Sequence, residues 1–345
     1  MTSARQGGRC ATAMQVSDRV AAAIDRIFRE LASPNWTAAD ARSGPYALRL
    51  NFASPALAQA FLPSFIRRDA GGPADLEMAF TSDAYHDLAG LVPDPPDQFR
   101  LLADRDFYAV WQPGPLPVLF VLDRRRGRGL VWLASGEAPP WVRSRPALSL
   151  IHAFGVETPW TALHGGAVGL GERFVLLAGK GHSGKTTSAL ACAQAGWHYA
   201  GDDFVLAHSR SGRIEPLYCS ARLRLDLVDS FRGFLDAGTV MSDVDGERRH
   251  ELSLAALEGR VRGGALAAIF LPRRRGASRP EFVPARRADA FAALMAATTI
   301  ELPGWPNVTA EKIAAVIGLA PVFFVDTGTE PQAIPDAFAL QLERL

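Results

Sequence analysis

The sequence predicts a mixed α/β protein in two parts, an N-terminal α+β domain over residues 1–144 and an α/β domain over residues 145–345. The chain of 345 residues is 48% hydrophobic and 21% charged, which provides enough apolar material for two cores. Short apolar runs separated by prolines recur over residues 107–135, as they do in sheets. From residue 172 onward apolar strands alternate with helices, which is typical of α/β folds.

Local patterns predict the elements of the N-terminal part in chain order. Apolar residues at helical spacing predict a helix over residues 14–33. Strands are predicted over residues 45–54, 107–125 and 129–135. Residues 71–98 are rich in turn-forming residues, so we expect loops with one short helix there. This part contains no motif with recognisable chemistry, and substrate recognition is a hypothesis for its role.

The C-terminal part begins with a predicted helix over residues 145–160 that bridges the two halves. An apolar strand over 172–179 leads through a glycine-rich loop into a helix over 185–196, and the next strand, 198–209, is interrupted by two acids. The remaining elements are predicted to be strands over 213–228, 264–274 and 320–328 and a helix over 334–345.

Composition and charge exclude several classes of function. The formal net charge is +1, so no overall field attracts nucleic acid or an anionic membrane, and the arginine runs at 124–129 and 273–276 are expected to be solvated turns. No uninterrupted apolar run reaches about 18 residues, and the N-terminus lacks the pattern of a secretory signal. We therefore expect a cytoplasmic protein without membrane or nucleic-acid partners. Cys10, Cys192 and Cys219 suit neither a disulfide framework nor a zinc site.

The strongest signal for chemistry is a phosphate-binding pattern, G-x-x-x-x-G-K-[ST], between the predicted strand and helix. Its glycines let backbone N–H groups point at phosphate oxygens, and the helix N-terminus adds further amides. Lys185 would reach the β- and γ-phosphates of ATP, and the Thr186 hydroxyl would ligate Mg²⁺. The candidate nucleotide-binding residues are Gly179, Lys180, Gly181, His182, Ser183, Gly184, Lys185, Thr186 and Thr187. Lys180 is expected to face solvent, and a glycine-rich turn that matches by chance is the alternative for the whole stretch.

Two acids and a histidine add to this signal. Asp202 and Asp203 follow Lys185 by 17 and 18 residues, directly after the predicted helix. Alternation along a strand is expected to send their carboxylates to opposite faces, one toward nucleotide and metal. A hairpin that turns at residues 169–171 would bring His164 back to the loop. The alternatives are a strand-end turn with a single Mg²⁺ ligand and no base, and an inert core histidine.

Three elements, LHG at His164, GKGHSGKT from Gly179 and AGWHYAGDD ending at Asp203, together resemble the HPr serine kinases and their relatives. The similarity covers roughly residues 160–210. It implies a P-loop kinase domain of the HPr-kinase/PEP-carboxykinase type that uses ATP and Mg²⁺ to phosphorylate a serine of a peptide or protein.

Family roles carry over onto the matching residues. The resemblance implies that Asp203 is the general base, that His164 supports it, that Lys185 clamps the phosphates, and that Asp202 joins Thr186 as a metal ligand. The order of the two acids stays open. We expect the charge of Asp202 to raise the pKa of Asp203 and so to help it accept a proton.

The sequence also departs from the family. Thr187 occupies a place where HPr kinases carry an acid, a signature for the reverse reaction is absent, and the N-terminal half does not resemble the family's regulatory domain. Relatives that phosphorylate a serine of a lasso-peptide precursor are the better match. An HPr kinase/phosphorylase that regulates carbon metabolism and a non-catalytic ATP-binding scaffold are the alternatives.

Arginines downstream of the acids are candidates for stabilising the transferred phosphoryl group. The residues are Arg222, Arg224 and Arg249, whose alternative role is that of ordinary surface charges. The sequence identifies neither the acceptor substrate nor the oligomeric state. A homo-oligomer is one of the open alternatives.

Overall fold

The computed structural model describes residues 20–31, 33, 35–69, 71–82, 91–94, 96–235, 240–244, 247–254, 257 and 259–345. It is a mixed α/β structure with two eight-stranded sheets and one three-stranded sheet. The helices comprise residues 20–30 (α1), Pro55–Phe61 (α2), Pro140–Arg143 (α3), Leu148–Gly155 (α4), Lys185–Gln194 (α5), Arg287–Glu301 (α6), Pro306–Gly318 (α7) and Ile334–Glu343 (α8).

The strands divide between an N-terminal and a C-terminal set. The N-terminal strands are Thr37–Ser43 (β1), Tyr46–Phe52 (β2), Ile66–Arg67 (β3), Leu76–Thr81 (β4), Arg100–Ala103 (β5), Phe107–Gln112 (β6), Val118–Asp123 (β7) and Arg128–Leu133 (β8). The C-terminal strands are Trp160–Leu170 (β9), Arg173–Ala178 (β10), His198–Gly201 (β11), Phe204–His208 (β12), Arg213–Pro216 (β13), Ser220–Arg224 (β14), Val240–Val244 (β15), Glu247–Ser253 (β16), Gly264–Arg273 (β17), Glu281–Pro284 (β18) and Val322–Asp326 (β19).

The first sheet has the strand order β3-β1-β2-β4-β8-β7-β6-β5. Strand β4 corrects the prediction of loops and a short helix over residues 71–98. It lies inside the sheet, parallel to β2 on one side and to β8 on the other. Most of its side chains are buried, so it lacks the alternation that marks a half-exposed strand. Residues 83–90 of the same stretch lie outside the described residues.

Most other predicted elements are confirmed with shorter bounds. The helix predicted over 14–33 is observed over 20–30, and residues 14–19 lie outside the described residues. The bridging helix is limited to α4, and the strand predicted over 213–228 is split into β13, β14 and a 3₁₀ segment, Leu225–Phe234. Helices α6 and α7 form in a segment for which no element is predicted from the sequence.

The second sheet combines parallel and antiparallel pairing. Strand β17 is parallel to both β10 and β19, whereas β9 runs antiparallel to β10, β11 and β12. The pairings of β10, β9, β12, β13 and β17 return to β10, so these five strands form a closed ring. The carboxyl ends of β10, β17 and β19 meet at one edge, where ligands of α/β sheets bind.

One apolar cluster joins the two parts of the chain. It includes Phe80 of the first sheet, Leu150 of α4, Phe204 of β12 and Leu302 after α6. Helix α4, which follows the first sheet in sequence, therefore packs in a core that the second sheet shares. None of the helices that the structure describes combines the length and hydropathy needed to cross a membrane.

The buried position of β4 predicts a stability effect. Phe80 is fully buried and its ring lies 4.9 Å from that of Phe52 and 5.0 Å from that of Phe61. Phe80→Ala is expected to lower the free energy of unfolding by about 3–5 kcal/mol in urea denaturation, because it leaves a cavity. Phe99→Ala, at a residue 53% exposed, is the control and is expected to change it by about 0.5 kcal/mol or less. Equal effects of the two variants would contradict the central placement of β4.

Candidate functional site

The glycine-rich loop connects the end of β10 to the start of α5. Gly184, directly before the helix, has φ of +110°, and His182 has φ of +62°, so the loop turns through left-handed conformations. No side chain caps α5, and the first amide that donates within the helix is that of Ser188, to the Gly184 carbonyl. The amides of the first turn therefore have no partner within the helix and are available to an anion.

Lys185 is buried and folds back over the loop. Its Nζ donates to the carbonyl oxygens of Gly179 and Lys180 at 2.8 and 3.1 Å. Burial lowers the pKa of Lys185, and the charges of Asp203 and Asp202 oppose that shift. Phosphate oxygens would supply a stronger partner for this ammonium than neutral carbonyls do. The Lys180 side chain is exposed, as the sequence analysis expected.

A further polar atom in the loop also suits an anionic ligand. The Ser183 hydroxyl oxygen is buried and has no hydrogen-bond partner among the described residues. A buried polar group without a partner costs free energy, which a phosphate oxygen within reach would relieve. The loop therefore offers a phosphate group hydrogen bonds from a side chain as well as from its backbone amides.

The predicted hairpin is confirmed, with its turn at residues 171–172 instead of 169–171. Gly169 and Leu170 still pair with β10, and Gly165 pairs with Ala178. This register places His164 at the end of β10 from which the loop departs. Glycine is required at position 165, because a Cβ there would lie 2.7 Å from the Leu177 carbonyl oxygen.

The two acids occupy a bend between β11 and β12 instead of positions within a strand. The expectation that their carboxylates point to opposite faces rests on strand alternation, which does not apply at a bend because it holds only within an extended strand. Both Asp202 and Asp203 line the pocket beside the glycine loop. Gly166 lets this bend approach β9 closely, since a Cβ there would lie 3.1 Å from the Asp202 Cα.

Asp202 is buried beside two hydroxyl groups. Tyr199 donates its hydroxyl to Oδ1 at 3.0 Å, and the Thr186 hydroxyl is within hydrogen-bonding reach of the same carboxyl. Burial and the neighbouring charge of Asp203 raise the pKa of Asp202. The two residues predicted as metal ligands, Thr186 and Asp202, therefore lie next to each other.

Asp203 contacts one histidine and two arginines. His164 Nε2 lies 3.1 Å from Oδ1, while Arg222 Nη2 donates to Oδ2 at 2.7 Å and Arg145 Nη1 lies 3.3 Å from the same oxygen. Burial alone would raise the pKa of Asp203, but these three groups hold it well below its ordinary value. The expectation of a raised pKa is therefore wrong for Asp203. The adjacent acid, Asp202, has the raised value.

Three residues of this network were not identified from the sequence. Arg145 lies between α3 and α4 and also pairs with Glu301 at the end of α6, with Nη1 3.2 Å from Oε2. Tyr199 precedes the acids by three residues on the strand that leads to them. Because Tyr199 lies close to Asp202 in the sequence, it could have been identified as a candidate. No local sequence pattern connects Arg145 or Glu301 to the acids.

The three predicted arginines all line this pocket, which has a volume of about 220 Å³. The Arg224 guanidinium contacts the His182 ring and pairs with Asp226, with Nε 3.0 Å from Oδ1. Six cationic side chains line the pocket against three carboxylates. The cations are Arg145, Lys185, Arg222, Arg224, Arg249 and Arg274, and the carboxylates are Asp202, Asp203 and Glu301. This excess of positive charge suits a polyphosphate.

The donor set fits magnesium. Thr186 and Asp202 would supply two oxygen ligands, and Mg²⁺ in nucleotide sites completes its shell with phosphate oxygens and water. No group of three or more His, Cys, Asp or Glu side chains among the described residues forms a protein-only metal site. Cys192 and Cys219 are free and buried, and Cys10 lies outside the described residues.

Comparison with protein-family models returned no match, and comparison with curated proteins returned none either.

The opposite environments of the two acids predict opposite stability effects. Asp203→Asn is expected to lower the free energy of unfolding at pH 7 by about 1–3 kcal/mol, because two guanidinium groups lose their carboxylate. Asp202→Asn is expected to leave stability unchanged or raised, because burial and Asp203 oppose its charge. Urea unfolding without nucleotide or metal measures both variants.

The pH dependence supplies a second check. Because the folded pKa of Asp203 is depressed, its stabilisation is present above the ordinary value of 3.8 and is lost as the pH falls through the folded value. The stability difference between the wild type and Asp203→Asn should therefore narrow on acidification. If Asp202→Asn lowered the free energy of unfolding as much as Asp203→Asn does, the opposite pKa shifts assigned to the two acids would be refuted.

Proposed function

We propose that the protein is an ATP-dependent kinase that transfers the γ-phosphoryl group to a serine hydroxyl of a peptide or protein. One juxtaposition carries the proposal: Thr186, at the start of α5, is in reach of Asp202, and His164 is 3.1 Å from Asp203, all in one pocket with the glycine loop. A phosphate-binding loop, a metal-binding pair and a candidate base are the parts that phosphoryl transfer requires.

In the proposed reaction the serine oxygen bonds to the γ-phosphorus of ATP as the bond to the bridging oxygen breaks, and ADP leaves. Asp203 takes the hydroxyl proton. His164 Nε2 lies 3.1 Å from Oδ1, whereas two arginines contact Oδ2, so the acceptor hydroxyl would approach Oδ1.

Other groups of the chain would neutralise and orient the phosphates. Lys185 exchanges its two carbonyl partners for oxygens of the β- and γ-phosphates, and the loop amides bind the remaining oxygens. Mg²⁺ held through Thr186 and Asp202 would neutralise charge that develops on the phosphates. The depressed pKa of Asp203 makes it a weak base, so positioning and charge neutralisation carry most of the proposed rate enhancement.

We propose further that this is a P-loop kinase fold of the HPr-kinase/PEP-carboxykinase type and that the chain is a relative of the HPr serine kinases. Thr187 lines the pocket where that family carries an acid, which favours a kinase without the reverse activity. A serine-containing lasso-peptide precursor is the acceptor we propose within this class.

A non-catalytic ATP-binding scaffold is the second candidate. It is favoured by the engagement of both Asp203 oxygens, because a base bound by Arg145, Arg222 and His164 must give up part of that network to accept a proton. In such a scaffold the same charges would order the pocket around bound nucleotide without transfer.

Two substitutions test the roles proposed for Lys185 and Asp203. Lys185→Ala is expected to abolish ATP binding in equilibrium titration, because it removes the phosphate clamp. Asp203→Asn is expected to retain ATP binding and to lower the rate of serine phosphorylation about 10²–10⁴-fold, because it removes the base. Mass spectrometry of candidate precursor peptides incubated with Mg-ATP measures the transfer.

Asp229→Asn is the control for the second substitution, since the Asp229 side chain is 84% exposed and outside the pocket. Transfer by the wild type that Asp203→Asn leaves unchanged would exclude Asp203 as the base. ATP binding by a wild type that phosphorylates none of the peptides would favour the scaffold.

A further inference from the structure

The arginine run at residues 273–276, predicted to be a solvated turn, is exposed at residues 274–276. It begins at Arg273, the last residue of β17, and its side chains have different surroundings. The Arg273 guanidinium stacks on the Phe324 ring at 4.6 Å from the centroid. Arg274 lines the pocket beside the glycine loop, whereas Arg275 is exposed and does not line it.

The backbone before Arg274 is held against the glycine loop. A Cβ on Gly184 would lie 3.8 Å from the Pro272 Cβ, and one on Gly179 would lie 3.8 Å from the Pro272 carbonyl oxygen. The Thr327 N–H, at the end of β19, donates to the Arg273 carbonyl at 3.2 Å. The Arg274 side chain therefore extends from a fixed backbone position beside the glycine loop, at the carboxyl end of β17.

Arg274 differs from the neighbouring cations in its partners. Arg145 and Arg222 are engaged by Asp203, and Arg224 by Asp226. In the part of the chain that the structure describes, Arg274 forms no ion pair or hydrogen bond with another residue. Its guanidinium can therefore bind an anionic ligand without breaking a protein contact.

We propose that Arg274 binds the terminal phosphoryl group of the bound nucleoside triphosphate. The inference rests on the proposed ATP-binding function of the pocket. An arginine that neutralises charge on the transferred group stabilises the transition state, and a guanidinium matches the geometry of phosphate oxygens. Arg274 thus distinguishes a triphosphate from a diphosphate.

The test compares the affinities of the full chain for ATP and ADP in the presence of Mg²⁺. Arg274→Ala is expected to weaken ATP binding about ten- to a hundredfold while ADP binding changes by less than about twofold, because only ATP carries the contacted group. Because the side chain is exposed, the fold should be unchanged, which circular dichroism checks.

Arg275→Ala is the matched control, in the same run but outside the pocket lining, and is expected to behave as the wild type. An Arg274→Ala variant that keeps the wild-type ratio of ATP to ADP affinity would overturn this inference and leave the proposed function intact. A wild type that binds neither nucleotide would instead overturn the proposed function itself.

Discussion

The pairing of β9 with strands on both of its edges is the constraint on which the candidate site depends. One edge pairs with β10, which delivers the glycine loop, and the other pairs with β11 and β12, which flank the two acids. His164 lies where these pairings meet, opposite Phe204. Two glycines after it make the approach feasible, since a Cβ at either would crowd neighbouring backbone. A register shift of one residue would turn His164 to the opposite face of the sheet.

The electrostatic environment of the pocket shifts the pKa values of the two adjacent acids in opposite directions. The Asp203 charge is stabilised by two guanidinium groups and the His164 ring, which come from three separate segments of the chain, whereas Asp202 is buried beside hydroxyl groups and its pKa is raised. When both acids are ionised their carboxylates repel each other, and a divalent cation bound to Asp202 would offset that repulsion. Such local conflicts are expected where function and not stability selects the residues.

The N-terminal part of the chain contributes to this arrangement through the bridging segment. Arg145 lies between α3 and α4 and connects Asp203 to Glu301, while the apolar cluster around α4 joins both large sheets. The Arg145 guanidinium also lies over the Phe204 ring, 5.3 Å from its centroid. The first sheet therefore supports the site by anchoring the segment that carries Arg145, although its own strands contribute no side chain to the pocket lining.

The sequence by itself determined the features that depend on local geometry. The glycine loop, its strand and helix, and the hairpin behind it follow from residue spacing and from the conformations that glycine permits, and the structure confirms them. Tertiary structure alone decided what surrounds the acids. The bend at Asp202, the approach of Arg145 and Glu301, and the turn of Arg274 into the pocket depend on contacts between distant segments. Such contacts set the sign of a pKa shift, because charge acts through space and not along the chain.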